Sequence, residues 1–181
     1  RSRHPVEGIK SPVTFIPEAQ EKGLLNQMTL NQLTLCEQEL TAIFKLNPEF
    51  ILTVNISLCH LQSTEMVNTL IRFSKKVPHL ILELTEDVLI DTDHRFIQDA
   101  FKQLTEAGIK IAIDDFGTGY CGLSYLSKLP VTYLKADKSF VASIGTDAMN
   151  ADVLKLITQF SKRMNFITIA EGVETIEQAR A

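Results

Sequence analysis

Five short apolar runs that alternate with helix-length segments predict an α/β fold with a parallel sheet. The runs Ile51–Val54, Leu80–Leu82, Ile109–Ile113, Val131–Leu134 and Phe166–Ala170 read as strands buried on both faces. Helical segments lie between most of them, at Thr64–Ser74, His94–Ala107 and Asp152–Arg163, whereas the Gly122–Ser127 connection is shorter. The strand starts recur at intervals of roughly 20–35 residues, the length of a β-α unit. A (β/α) barrel and an open doubly wound sheet both satisfy this pattern.

The elements can be justified in order. Ser11-Pro12 opens a helix well, with serine as N-cap and proline at the first helical position. That helix is expected to reach Lys22 and stop at Gly23. A longer one follows from Leu24 to about Lys45, with Leu30, Leu33, Leu40, Ile43 and Phe44 at three- and four-residue spacing, until Pro48 breaks it. From Ile51 onward the β-α alternation takes over. No low-complexity linker or change of composition divides the chain, so residues 1–181 read as one domain.

Composition excludes several classes. The 181 residues are 45% hydrophobic and 22% charged with a net charge of -4, ordinary for a soluble globular domain and without a basic surface for nucleic acid. Cys36, Cys59 and Cys121 show no C-x-x-C spacing, and His4, His60, His79 and His94 are scattered. A disulfide framework, a zinc site and a histidine-based metal site are therefore disfavoured, and a reducing, cytoplasmic compartment fits. No apolar run approaches the roughly 20 residues of a membrane span.

The strand ends carry the chemistry. The runs finish at Asn55, Glu83, Asp114-Asp115, Lys135 and Glu171 in turn. In α/β folds the carboxyl ends of parallel strands form the functional face. Adjacent carboxylates about 4 Å apart repel by about 4 kcal/mol at an effective dielectric of 20, and a divalent cation with oxygen ligands offsets that. Taken singly, each residue has a plain structural reading. Asn55 could form a turn or cap a helix, Glu83 could face outward on an edge strand, Lys135 could balance Asp137, and Glu171 could be a strand-end charge. Five such coincidences at five successive strand ends are improbable. Glu83, Glu86, Asp114, Asp115, Glu171 and Glu174 together make this end acidic, which suits two cations about 3.5–4 Å apart acting on a phosphodiester.

At these residues the chain resembles the EAL domain, the cyclic di-GMP phosphodiesterase family. The matching motifs are Phe15-Ile16-Pro17 with Gly23-Leu24-Leu25, Val54-Asn55-Ile56-Ser57 and Glu83-Leu84-Thr85-Glu86. They continue with Asp114-Asp115-Phe116-Gly117-Thr118-Gly119-Tyr120, Leu134-Lys135-Ala136-Asp137 and Ala170-Glu171-Gly172-Val173-Glu174-Thr175. The resemblance implies a TIM-type barrel that hydrolyses cyclic di-GMP to linear pGpG by in-line attack of water, with two Mg²⁺ or Mn²⁺ ions and with Ca²⁺ inhibitory.

Carried over by motif, Asn55, Glu83 and Asp114 resemble ligands of one ion. Asp114 would bridge to a second held with Asp115 and Glu171. Lys135 is similar to the lysine that contacts the attacking water, so Lys135, Asp115 and Glu171 form the implied catalytic set. Glu86 and the loop Phe116, Gly117, Thr118, Gly119 resemble the element that supports the site and, in many members, a homodimer contact. Arg1 resembles a phosphate-contacting arginine, and Glu174 matches a position near the guanine base. Cyclase-type or sensory domains upstream, some of them membrane-tethered, are common companions in this family.

The family's E-A-L-x-R motif would place its glutamate four residues before Arg1, and a final strand would follow Ala181. A barrel needs eight strands and about 250 residues. The expectation is therefore a partial domain of about five central strands, weak or inactive alone. The rival reading is a non-catalytic EAL module that binds cyclic di-GMP or a protein partner; an unrelated metal-dependent barrel enzyme is the more distant one.

Overall fold

A computed structural model describes residues 2–6, 8–86, 88, 95–118, 126, 128–146 and 148–180. The chain forms two compact units, Arg1–Pro48 and Glu49–Ala181.

In the first unit, β1 (Ser2–His4) and β2 (Gly8–Lys10) pair antiparallel, with Arg3 opposite Ile9. This hairpin is too short and polar to announce itself by alternation. Helix α1 (Pro12–Glu21) starts on its proline, as expected, and α2 (Leu25–Leu46) buries Leu25, Thr29, Leu33 and Leu40 along one stripe.

The second unit holds a five-stranded parallel sheet in the order β3-β4-β5-β6-β7. The strands are β3 (Leu52–Asn55), β4 (Leu80–Thr85), β5 (Lys110–Phe116), β6 (Tyr133–Ala136) and β7 (Ile167–Ala170). They overlap all five expected runs. The helices are α3 (Leu58–Leu61), α4 (Thr64–Ser74), α5 (Arg95–Glu106), α6 (Lys138–Ala142), α7 (Ala148–Met164) and α8 (Ile176–Arg180). The expected Gly122–Ser127 connection and the helix start at His94 fall outside the described residues. Among the described residues, no helix is long and apolar enough to cross a membrane.

The strand order decides between the two candidate architectures. Parallel crossovers are right-handed, so strands laid down in unbroken sequence place their connecting helices on one face. A doubly wound sheet reverses direction at a switch point. Here no reversal occurs, which is the barrel arrangement.

The helix-covered face is the core. Leu80, Leu82, Leu84, Ile111, Ile113, Leu134 and Ala136 are at most 1% exposed. Met66, Val67, Leu70 and Phe73 of α4 and Ile97, Ala100, Phe101 and Leu104 of α5 are buried at helical spacing. Each such Leu, Ile or Phe is worth about 1.5–3 kcal/mol of transfer free energy. Tight αβ turns feed the strands: Gly108 (φ +83) ends α5 with Ile109 N–H donating to Leu104 O, and Asn165 (φ +61) does the same after α7, with Phe166 N–H to Ser161 O.

Candidate functional site

Side chains alternate across a strand, so the register determines which residues share the face opposite the helices. Asn55 lies beside Glu83 in the β3–β4 ladder, Glu83 beside Ala112, and Thr85 beside Asp114. Asn55, Glu83 and Asp114 therefore project to one side. Lys135 pairs with Ile169 in the β6–β7 ladder, and Glu171 lies two residues beyond Ile169, on the same side again. A hydrogen bond from Glu171 N–H to Ala136 O prolongs that ladder past β7 and anchors Glu171.

Strict alternation would send Asp115 to the helix side. A β-bulge prevents this: the pairing shifts between Ile113↔Leu134 and Phe116↔Ala136, and Asp115 takes up φ +52. Aspartate is among the few non-glycine residues that adopt this left-handed geometry readily. Asp115 N–H then donates to Asp114 Oδ1 at 3.1 Å, and Asp115 O accepts from the Thr118 hydroxyl at 2.9 Å. The strand thus includes both carboxylates rather than stopping before them. Oxygens of Asp114, Asp115 and Glu171 come within 4.8 Å of one another.

Lys135 stands at the centre of the set. Its Nζ lies 2.7 Å from Glu171 Oε1, 2.8 Å from Asp114 Oδ1 and 3.1 Å from Glu83 Oε2, with its side chain only 10% exposed. Burial works against its charge, but the hydrogen bonds to Asp114, Glu171 and Glu83 outweigh it and hold the ammonium above the ordinary lysine value. Lys135 is therefore a permanent cation at neutral pH.

Asp137, which the sequence offered only as a partner for Lys135, has two other roles. It caps α6 by accepting from Ser139 N–H at 2.9 Å, and its carboxyl group meets that of Asp115. Hydrogen bonds from Ser139 hold Asp137 below the usual carboxylate range. Asp115 is pushed up, first by burial and then by the charges of Asp114, Asp137 and Glu171. Five carboxylates against one ammonium leave an excess of negative charge and one acid that resists ionising.

That surplus fits a divalent cation. Two oxygens on opposite sides of an ion stand at twice the metal–oxygen distance, about 4–5 Å for Mg²⁺ to Ca²⁺, which the 4.8 Å spread of Asp114, Asp115 and Glu171 allows. One expected outcome follows. In chelator, Asp115→Asn melts about 1–2 °C above the wild type, because the amide keeps the backbone geometry and removes the disfavoured charge. The sign is fixed by the raised pKa: the contribution of Asp115 to stability is full below the ordinary aspartate value near 3.9 and is lost as pH rises through the folded value. The difference should vanish in acid, and the stabilisation by Mn²⁺ should be lost in the variant. Thermal melts with and without the ion check both.

The supporting loop is tied down from β4. Glu86, 6% exposed, accepts from Gly117 N–H through Oε2 at 3.2 Å; its Oε1 is buried and meets no donor among the described residues. Gly117 has φ +98, and a Cβ there would lie 3.0 Å from the Phe140 ring, so the loop is packed against α6 at a point where any side chain would be strained. Phe116 is buried beside it. Glu174 lies after β7 in the turn into α8, where its N–H donates to Gln178 Oε1 at 2.7 Å. Arg1 and Gly119 are outside the described residues.

The EAL domain family model matches residues 1–181, and the chain belongs to that family. It is 35% identical over 183 residues to the probable cyclic di-GMP phosphodiesterase PdeG of Escherichia coli (strain K12), covering 98% of this chain and 36% of PdeG. To the probable cyclic di-GMP phosphodiesterase PdeD of the same organism it is 36% identical over 184 residues, covering 99% of this chain and 34% of PdeD. The chain spans about a third of the length of these curated relatives. Among solved structures it resembles the PaMucR phosphodiesterase in complex with c-di-GMP, with a TM-score of 0.88 and 32% identity, over 99% of this chain and 74% of that one. The fold is thus the α/β, TIM-type barrel class of the EAL domains.

Proposed function

We propose that this chain carries the catalytic site of a phosphodiesterase that hydrolyses cyclic di-GMP to linear pGpG with two Mg²⁺ or Mn²⁺ ions. The observation that carries the reading is the bulge that folds Asp115 onto the side of Asp114 and Glu171, with Lys135 among the carboxylates. Asn55, Glu83 and Asp114 would hold one ion, and Asp114, Asp115 and Glu171 the other. Bound there, the ions would supply Lewis acidity toward a phosphoryl oxygen and a nearby water.

The chain's own groups do the rest. Lys135, held charged, cannot serve as a base at neutral pH; it orients the water and stabilises negative oxygen. The proton would pass to a carboxylate of the cluster, Asp115 or Glu171, an assignment made on their motif positions. Glu86 holds the Gly117–Thr118 loop in place through Gly117 N–H. Arg1 and Glu174 are assigned to the phosphate and the guanine on their motif positions alone. A cytoplasmic site of action and a homodimer through the Gly117 loop complete the proposal.

The test is turnover of cyclic di-GMP, followed by chromatographic detection of pGpG. Within a complete EAL domain that contains these residues, hydrolysis is expected in Mn²⁺, none in chelator, and inhibition in Ca²⁺, whereas the 181 residues alone are expected to turn over weakly or not at all. Binding of cyclic di-GMP without turnover in any metal by that complete domain would establish a binding module instead.

A further inference from the structure

Asn55 is the least supported member of the cation site. Among the described residues β3 pairs only with β4, and Asn55 itself is exposed. Its backbone is held on one side by the ladder, which Ile56 N–H extends by donating to Glu83 O at 2.9 Å. Beyond Ile56 the chain leaves the sheet, and nothing in the ladder fixes Ser57.

A histidine does so. Ser57 N–H donates to His60 Nδ1 at 2.9 Å, Ser57 Oγ lies 3.0 Å from the same nitrogen, and His60 N–H returns to Ser57 O at 3.0 Å. This is a capping box at the start of α3, with histidine where Glu or Gln usually stands. His60 is 3% exposed, so its ring is held in one position by its surroundings. A four-residue helix gains little from a cap in its own right. What the cap does is lock the turn that follows Asn55, two residues from the side chain that must point at an ion.

We propose that His60 is a positioning residue for Asn55: its Nδ1 fixes the β3–α3 turn and so sets the affinity of the site for a divalent cation. The inference rests on the reading of Asn55 as a cation ligand. Groups that orient metal ligands typically change affinity by about 10–100-fold when removed.

The experiment is calorimetric titration of the protein with Mn²⁺, without substrate, for the wild type, His60→Leu, His60→Gln and Asn55→Ala. His60→Leu is expected to weaken Mn²⁺ by about 10-fold or more, and His60→Gln, which restores the usual capping-box acceptor, to stay within about threefold of the wild type. If His60→Leu does not fold, His60→Met removes the same acceptor with a more adaptable side chain. A merely structural role would lower the melting temperature and leave the affinity alone. Unchanged affinity in folded His60→Leu, with Asn55→Ala weakened, overturns the proposal. So does equal weakening in the Leu and Gln variants, which would implicate the ring rather than the cap. Unchanged affinity in Asn55→Ala overturns the underlying ligand assignment, and with it this inference. None of these outcomes depends on whether cyclic di-GMP is the substrate.

Discussion

Asp114→Ala is expected to lower the rate of cyclic di-GMP hydrolysis at least about 100-fold and to weaken Mn²⁺ binding in parallel. Asp114 is the member shared by every part of the site. It projects to the same side of the sheet as Glu83 and Asn55, pairs with Lys135 at 2.8 Å, and clusters with Asp115 and Glu171. Its Oδ1 also accepts from Asp115 N–H, so the alanine variant loses a bond that holds the bulge. Asp114→Asn separates the two effects, since an amide oxygen can still accept from Asp115 N–H but brings no charge. Both variants should lose turnover and metal affinity, and both lose the ion pair with Lys135, so the further drop of the alanine variant's melting temperature in chelator reads the bond to Asp115 N–H. Wild-type turnover in Asp114→Ala would remove this residue from the metal site.

The second large effect is on stability. Lys135→Met leaves Glu83, Asp114 and Glu171 facing one another without a counter-charge, with side chains 9%, 17% and 30% exposed. Breaking a buried ion pair by removing one partner costs about 3–5 kcal/mol. Partial hydration of Glu171 puts this case at the lower end, about 3 kcal/mol, or a melting temperature lower by about 6–12 °C. Saturating Mn²⁺ should restore much of the loss, because the ion neutralises the same carboxylates. On the proposed mechanism turnover should not return, because the ammonium would be needed beside the reacting water. Denaturation in chelator and in Mn²⁺ separates these outcomes, and an unchanged melting temperature in chelator would show that the three acids do not depend on Lys135.

The strands were legible because β4, β5 and β6 are buried on both faces over most of their length, which requires unbroken apolar runs. Strands β3 and β7, expected to be as buried, are only half-buried to exposed because each pairs on one side alone among the described residues. The grouping of Glu83, Asp114, Lys135 and Glu171 was legible for a related reason: a polar residue closing such a run has few other places to go. The plain readings failed for specific causes. Glu83 is not on an edge strand, since β4 has neighbours on both sides and Glu83 is 7% exposed. Asn55 does not cap α3; Ser57 does. Lys135 pairs with three distant acids, not with Asp137 two residues on. What the sequence concealed is non-local. The contact between Glu86 and Gly117 spans 31 residues, and the left-handed turn at Asp115 depends on how β5 meets β6. His60 carried a faint signal, a serine three residues earlier at the end of an apolar run, but histidine is not the usual partner in that pattern.

The bulge has a consequence for how such a site could change. From Ile113 to Phe116 β5 advances three residues while β6, from Leu134 to Ala136, advances two. Deleting the odd residue would bring the strands back into step and leave one acid on that side where there are now two, without replacing a single chemical group elsewhere. The count of acids that β5 offers is thus encoded in the length of a strand, and a one-codon deletion would alter it more thoroughly than most substitutions.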